Sequence, residues 1–271
     1  MVNSTFQAFL NEAQFTKEIL SIGVTQLYKA NYNTKGIYYQ AFTCLSIGIE
    51  RAAKLCSILD FYIINHGTLP QEDYIRQYGH EILGLFKHCH EIANQRQITF
   101  NFPNKFDNEI HWSILQVLND FAQSSGRYSD INTLLGKNQI LNCMHQWHET
   151  VDKKIFEKHV STKKKQRIEN QAKELKSDLQ QIFMVHFIGE DSMEITDLKE
   201  AMIRTDIWKA VAPYRQLYTL RIIRFFAEII DELGFRARGI GLQEIPYFSD
   251  IFGIFYNNDT YFKSRKTWDK L

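Results

Sequence analysis

The chain has 271 residues, which at roughly 150 residues per domain leaves room for one large domain or two small ones. Its 44% apolar and 23% charged residues can build a core and exclude a chain disordered throughout, while 32 basic against 31 acidic side chains exclude the uniformly cationic body of a DNA-coating protein. Four Pro and 13 Gly are too few for a many-stranded sandwich or barrel, so the sequence predicts an all-α protein built of long helices.

The first predicted helix begins at Ser4 or Thr5 and runs to about Tyr28, with Phe9, Ala13, Ile19, Ile22 and Leu27 on a helical stripe. Asn31 to Lys35 reads as a turn. Gly36 to about Asn65 is apolar almost all round, which predicts a helix buried on several sides at the centre of the fold. Its stretch Gly36 to Leu59 is also the one membrane suspect. Glu50, Arg51 and Lys54 exclude that reading, since each charge near the middle of a span costs about 2.5–3.5 kcal/mol. His66-Gly67-Thr68-Leu69-Pro70 and then Tyr78-Gly79 break the chain before a helix from His80 to about Asn94. Gln97 to Asn104 reads as a loop or short extended segment, because Pro103 and the alternation around Phe100 and Phe102 do not suit a helix. Asp107 to about Gln123 is helical again and ends at Ser124-Ser125-Gly126.

Asn138 to about Val160 is a further amphipathic stretch. From Lys153 to Gln181 basic residues outnumber acidic ones and there is no Pro or Gly, which predicts one long solvated helix leading away from the first body. Ile168, Ala172, Leu175, Leu179 and Ile182 give it a short heptad seam. Asp191-Ser192 should open a C-terminal helical pair whose long member runs from about Ile207 to Leu233 and stops at Gly234. In the aromatic tail, Asn257-Asn258-Asp259 suits a hairpin turn. The expected organisation is a helical bundle over residues 1–158, a charged connecting helix over 159–190 and a smaller helical C-terminal region over 191–271.

Cys44, Cys56, Cys89 and Cys143 lie too far apart for a disulfide scaffold and are expected to be free packing thiols of a reducing compartment. The opening residues carry no basic segment, unbroken apolar run or small-residue cleavage site, which adds to the expectation of a cytoplasmic protein. His80, His88, Cys89 and His90, and the pair His145 and His148, lack a second ligand pair at zinc spacing, so neither metal nor cofactor is expected. No Gly-rich phosphate loop, Gly-x-Ser-x-Gly elbow or His-Glu-x-x-His is present.

The chemistry concentrates on Glu50, Arg51 and Lys54, because charges set into an apolar helix must be met by partners. Glu50 and Lys54 are one turn apart and can pair with each other. His80 after Gly79 and Arg127 after Gly126 are the side chains placed to reach back to them. Such a cluster serves either as a polar clasp that fixes helix register or as a site that moves protons. Two basic stretches could touch nucleic acid. One is Lys163, Lys164, Lys165 and Arg167; the other is Arg215, Arg221 and Arg224 interleaved with Tyr214, Tyr218, Phe225 and Phe226, which at helical spacing also read as core.

The segments Gly48-Ile49-Glu50-Arg51-Ala52-Ala53-Lys54-Leu55, then Tyr78-Gly79-His80-Glu81-Ile82-Leu83, then Gly126-Arg127-Tyr128-Ser129 resemble, in this order, the pattern of HEPN-like helical proteins of bacteria. The resemblance covers about residues 36–135. It implies an all-α HEPN-like bundle, a homodimer, membership in toxin–antitoxin or anti-phage systems and, in active members, metal-independent RNA cleavage. Those members share an Arg-x4–6-His motif, which this chain lacks: Arg76 and His80 have three residues between them, one of them Gly79. The expectation is therefore that His80 as proton carrier and Arg127 as phosphate clamp converge near Glu50 and Lys54, or across a dimer interface, and do the same job. Arg51, Lys163, Lys164, Lys165 and Arg167 would bind the RNA. The alternative is a catalytically silent module of the same fold, a scaffold or sensor for a partner protein or a nucleotide.

Overall fold

Two long helices, α1 (Ser4–Lys29) and α2 (Gly36–Ile64), form an antiparallel hairpin joined by residues 30–35. Asn3, rather than Ser4 or Thr5, caps α1, its side chain accepting from the backbone N–H groups of Thr5 and Phe6. The pair packs closely because glycines sit at the crossing. A methyl group at Gly48 would stand 2.6 Å from the Leu20 side chain, and one at Gly23 would stand 2.8 Å from Leu45. As its all-round apolarity predicts, α2 is covered on several sides. The short α3 (Glu72–Arg76), then α4 (Ile82–Gln95) and α5 (Glu109–Ala122), pack against it. After α6 (Ser129–Leu134) and α7 (Cys143–Trp147), the chain makes a π-helical turn, His148–Asp152, and continues as α8 (Lys153–His159). The computed structural model describes residues 3–103, 106, 108–123, 126–137, 142–179 and 185–269, the side chains of 175–179 excepted.

The charged stretch is not one helix. Its continuity is broken at Val160, whose ψ of 114° is extended, and α9 (Thr162–Leu179) starts afresh. Nor does α9 lead away from the body: Ile168 and Ala172 are buried, and the helix lies along α10. The remaining heptad positions, Ile182 and the side chains of Leu175 and Leu179, lie outside the described residues, as do Ser124 and Ser125. A two-residue antiparallel pair follows, β1 (Phe187–Ile188) with β2 (Glu194–Ile195), in the register Phe187 to Ile195 and Ile188 to Glu194. Asp191-Ser192 therefore turns this hairpin and does not open a helix; Ser192 holds a φ of 65° and Asp191 accepts the N–H of Met193.

The longest element is α10 (Leu198–Gly239), whose 42 residues span about 63 Å at 1.5 Å per residue. It does not stop at Gly234. The glycine is needed there for contact, since a Cβ would stand 2.6 Å from the Phe248 ring. Asp197 caps its start, and Pro213 sits inside it without an N–H to give the preceding turn. Beyond it come α11 (Phe248–Phe252) and α12 (Asp259–Ser264), where Asn258 caps the helix and turns no hairpin.

One hydrophobic core joins Phe9 to Trp268, so packing crosses the boundaries expected at 158 and 190. α10 lies against both α1 and α2. The fully buried Trp268 returns the tail to α1, its backbone N–H donating to Thr25 Oγ1 at 2.8 Å. The expected all-α class is what the described residues show: mostly helix, with strand confined to the small hairpin. No helix among them is long and apolar enough to cross a membrane.

Candidate functional site

Two charged clusters are built into this frame. The first is the one expected at the middle of α2. Glu50 Oε1 accepts from Lys54 Nζ at 2.7 Å, and the Glu50 carboxylate oxygens lie 3.0 and 3.1 Å from His80 Nδ1. Gly79, with a φ of 51°, makes the turn that presents His80 to the helix, a conformation that costs a side-chain-bearing residue but not glycine. Because a carboxylate only accepts, Nδ1 carries the hydrogen of this contact, and Nε2 is the ring nitrogen not engaged by Glu50. The His80 side chain is 74% exposed while Glu50 is 15% exposed, so the imidazole hangs from an anchored carboxylate with its far edge in solvent.

Arg51 is engaged differently. It pairs with Glu12 of α1 and lies over the Phe15 ring at 4.5 Å. Within the chain Arg127 does not join the cluster. Its guanidinium stands over Phe121, which packs on Tyr39 and Phe42 at the other end of α2; Phe42 and Glu50 are about 12 Å apart by helix rise. The turn after Gly126 faces α7 instead, where Cys143 Sγ fills the place a Cβ would take.

The basic stretches separate as well. Lys163, Lys164 and Arg167 line an open groove of about 460 Å³ between α9 and α10, facing Lys209 and Asp206, which pair with each other at 3.0 Å. Lys165 turns the other way, over the Phe156 ring at 5.0 Å. Arg215, Arg221 and Arg224 of α10 do not form an exposed basic row. Arg215 and Arg224 are buried, the latter against the Phe102 and Phe262 rings, and Arg221 pairs with Asp259. Tyr218, Phe225 and Phe226 belong to the core, as their helical spacing allows. Tyr214 is stacked on His159 with ring centres 4.2 Å apart. Burial and the nearby cations Lys158, Arg221 and Lys263 hold the His159 imidazole below its usual range.

The second cluster is one that the sequence did not announce. Arg215 donates from Nε to Asp152 Oδ1 at 2.6 Å and from Nη2 to Oδ2 at 2.5 Å, and its remaining bonds go to the Ala30 carbonyl at 2.6 Å and the Tyr38 hydroxyl at 2.8 Å. Trp147 Nε1 also donates to Asp152, and the Tyr38 hydroxyl donates to Glu190 at 3.2 Å. Arg215, Asp152, Tyr38 and Glu190 are all at least 95% buried. Burial works against the Arg215 charge, but the attraction and bonds of Asp152 together with Tyr38 and Glu190 outweigh it, so the guanidinium titrates above its usual range. Burial pushes the Tyr38 phenol well up.

This network floors a cavity of about 360 Å³ between the π-helical turn with α8, the hairpin turn and the first half of α10. Arg204 stands at its edge, bonded to Asp191 at 2.8 and 3.1 Å and to Glu200 at 2.8 and 3.0 Å. Burial raises the Asp191 carboxyl, and the bonds from Arg204 and the Met193 N–H bring it below its usual range. A buried arginine at helical spacing among aromatics looks like a surface reader in sequence. The π-helical turn, which often marks functional positions, has no one-dimensional signature. Among the described residues no group of three or more His, Cys, Asp or Glu is placed to hold a metal ion. Comparison of the chain with protein-family models, with curated proteins and with solved structures finds no match.

Proposed function

We propose that the protein acts on RNA as a HEPN-like helical module, with His80 as its proton carrier. The observation that carries this reading is the Glu50–His80 pair, in which a largely buried carboxylate orients an exposed imidazole. Imidazole takes and returns a proton at neutral pH, and an orienting carboxylate fixes which nitrogen does so. In the proposed step Nε2 takes the proton of a ribose 2′-hydroxyl while that oxygen bonds to phosphorus. The bond from phosphorus to the 5′-oxygen then breaks, and the imidazolium returns the proton to the departing oxygen. Lys54, held by Glu50, supplies positive charge beside the phosphate. Lys163, Lys164 and Arg167 hold the strand by its phosphates in the open groove, which single-stranded RNA enters more readily than a duplex. The defence- or toxin-associated setting and the homodimer are part of the same proposal and rest on the resemblance.

The test is digestion of single-stranded RNA by the purified protein in the presence of a chelator, with His80→Ala alongside. Cleavage leaving cyclic phosphate ends and a loss of about 10²- to 10⁴-fold in the variant is expected. Equal cleavage by the variant overturns the assignment of His80. RNA binding that weakens with salt, but without cleavage, converts the reading to the silent module of the same fold.

A further inference from the structure

Glu190 is the group the proposed RNA chemistry leaves unexplained. It sits in the hairpin turn, it is 5% exposed, and among the described residues the Tyr38 hydroxyl is its one hydrogen-bond donor. A carboxylate removed from water normally gathers several donors, because each missing bond leaves part of its desolvation uncompensated. Asp152, its neighbour in the network, has three such bonds. Arg215 directs four of its five N–H donors to Asp152, Ala30 and Tyr38, and none of these bonds reaches Glu190. Glu190 instead lines the 360 Å³ cavity.

The rest of the lining fits one kind of occupant. Five carboxylates face three cationic side chains and His148, so the cavity favours a positive guest. Ile203, Ile207, Val211 and Phe156 make an apolar wall, to which Trp208 adds an aromatic side chain. The Trp208 indole N–H is buried and finds no acceptor among the described residues.

We propose that this cavity is a binding site for a small organic ammonium with an apolar or aromatic body and a hydrogen-bond acceptor. The ammonium bonds the Glu190 carboxylate, the body lies along α10, and the acceptor takes the Trp208 N–H. The site is independent of the Glu50–His80 pair, so RNA chemistry and ligand binding stand or fall separately.

Calorimetric titration of the whole protein with tyramine tests it, against phenethylamine, which lacks the acceptor, and 4-hydroxyphenylacetate, which reverses the charge. Tyramine should bind saturably at one site, with the anion at least about tenfold weaker, a difference worth about 1.4 kcal/mol. Glu190→Gln should weaken tyramine by a similar factor, with folding checked by circular dichroism. Ile207→Trp, which fills the cavity without touching the Arg215–Asp152 pair, should abolish binding. Equal binding of the anion, an unchanged affinity in Glu190→Gln, or no saturable binding of either amine at millimolar concentration overturns the proposal.

Discussion

The two charged clusters of this protein solve the same electrostatic problem in opposite ways. At the middle of α2 the charges stay near water: Lys54 is 20% exposed and His80 is mostly exposed, and only Glu50 is anchored. At the junction of α2, α10 and the π-helical turn, Arg215 and Asp152 are sealed in, and each guanidinium nitrogen has a protein partner. Ion pairs near water contribute little, about 0–1 kcal/mol each, whereas a sealed pair becomes costly as soon as one partner is removed. The sealed cluster therefore belongs to the architecture, with Glu190 as its open end, and the exposed cluster is free to serve chemistry.

Removing one half of the sealed pair is the most severe way to break this contrast. Asp152→Ala strands Arg215 and leaves Trp147 Nε1 without its acceptor, and should destabilise the fold by about 3–5 kcal/mol in denaturant unfolding. The double variant Asp152→Leu with Arg215→Met should recover part of that loss, since an apolar pair carries no desolvation penalty. Complete loss of folding in the double variant but not in Asp152→Ala would show that the network does more than cancel its own charges.

A smaller effect is expected from the helix crossing that carries the exposed cluster. Gly48→Ala forces a methyl group against Leu20 and should cost about 1–3 kcal/mol by overpacking, with the Glu50–His80 geometry disturbed and the Arg215 network intact. Crystallography or amide exchange of that variant would separate the two regions directly.

Two histidines sharpen the comparison further. His159 is held below its usual range by burial and neighbouring cations, so the unfolded chain binds the proton more readily than the folded one. Its contribution to stability is therefore complete above the unfolded imidazole value of about 6.5 and is lost as pH falls toward the lower folded value. His159→Gln should flatten the pH dependence of unfolding in that window. The carboxyls of Asp259 and Asp191 are depressed, the first by its bond to Arg221 and the second by Arg204; they add a second loss as pH drops below about 4. The smallest change belongs to His80→Ala, which should alter stability by no more than about 0.5 kcal/mol while removing the proposed RNA cleavage. A large loss of stability in that variant would make the exposed cluster a structural clasp instead.

Much of the helical outline was legible in one dimension, because hydrophobic periodicity is a local property. The buried α2, the helix over Glu109–Ala122 and the start of the chain follow from the spacing of apolar residues alone. So does the demand that Glu50 and Lys54 be met, and the glycine before His80 pointed to one of the groups that meets them. Arg127 shows the limit of that argument: a helix break says that a side chain can turn back, but not toward which end of a rod it turns.

The sequence by itself determined that the protein is helical, that α2 is central and that charges within α2 need partners, since burial periodicity and the cost of an unpaired charge are written residue by residue. Only the tertiary structure decided that Gly234 is a contact and not a stop, that α9 folds back along α10, and that Arg215 meets Asp152 across 63 positions. Those outcomes depend on which distant surfaces meet, and a stretch of sequence carries the appetite of a side chain for a partner without the identity of the partner that arrives.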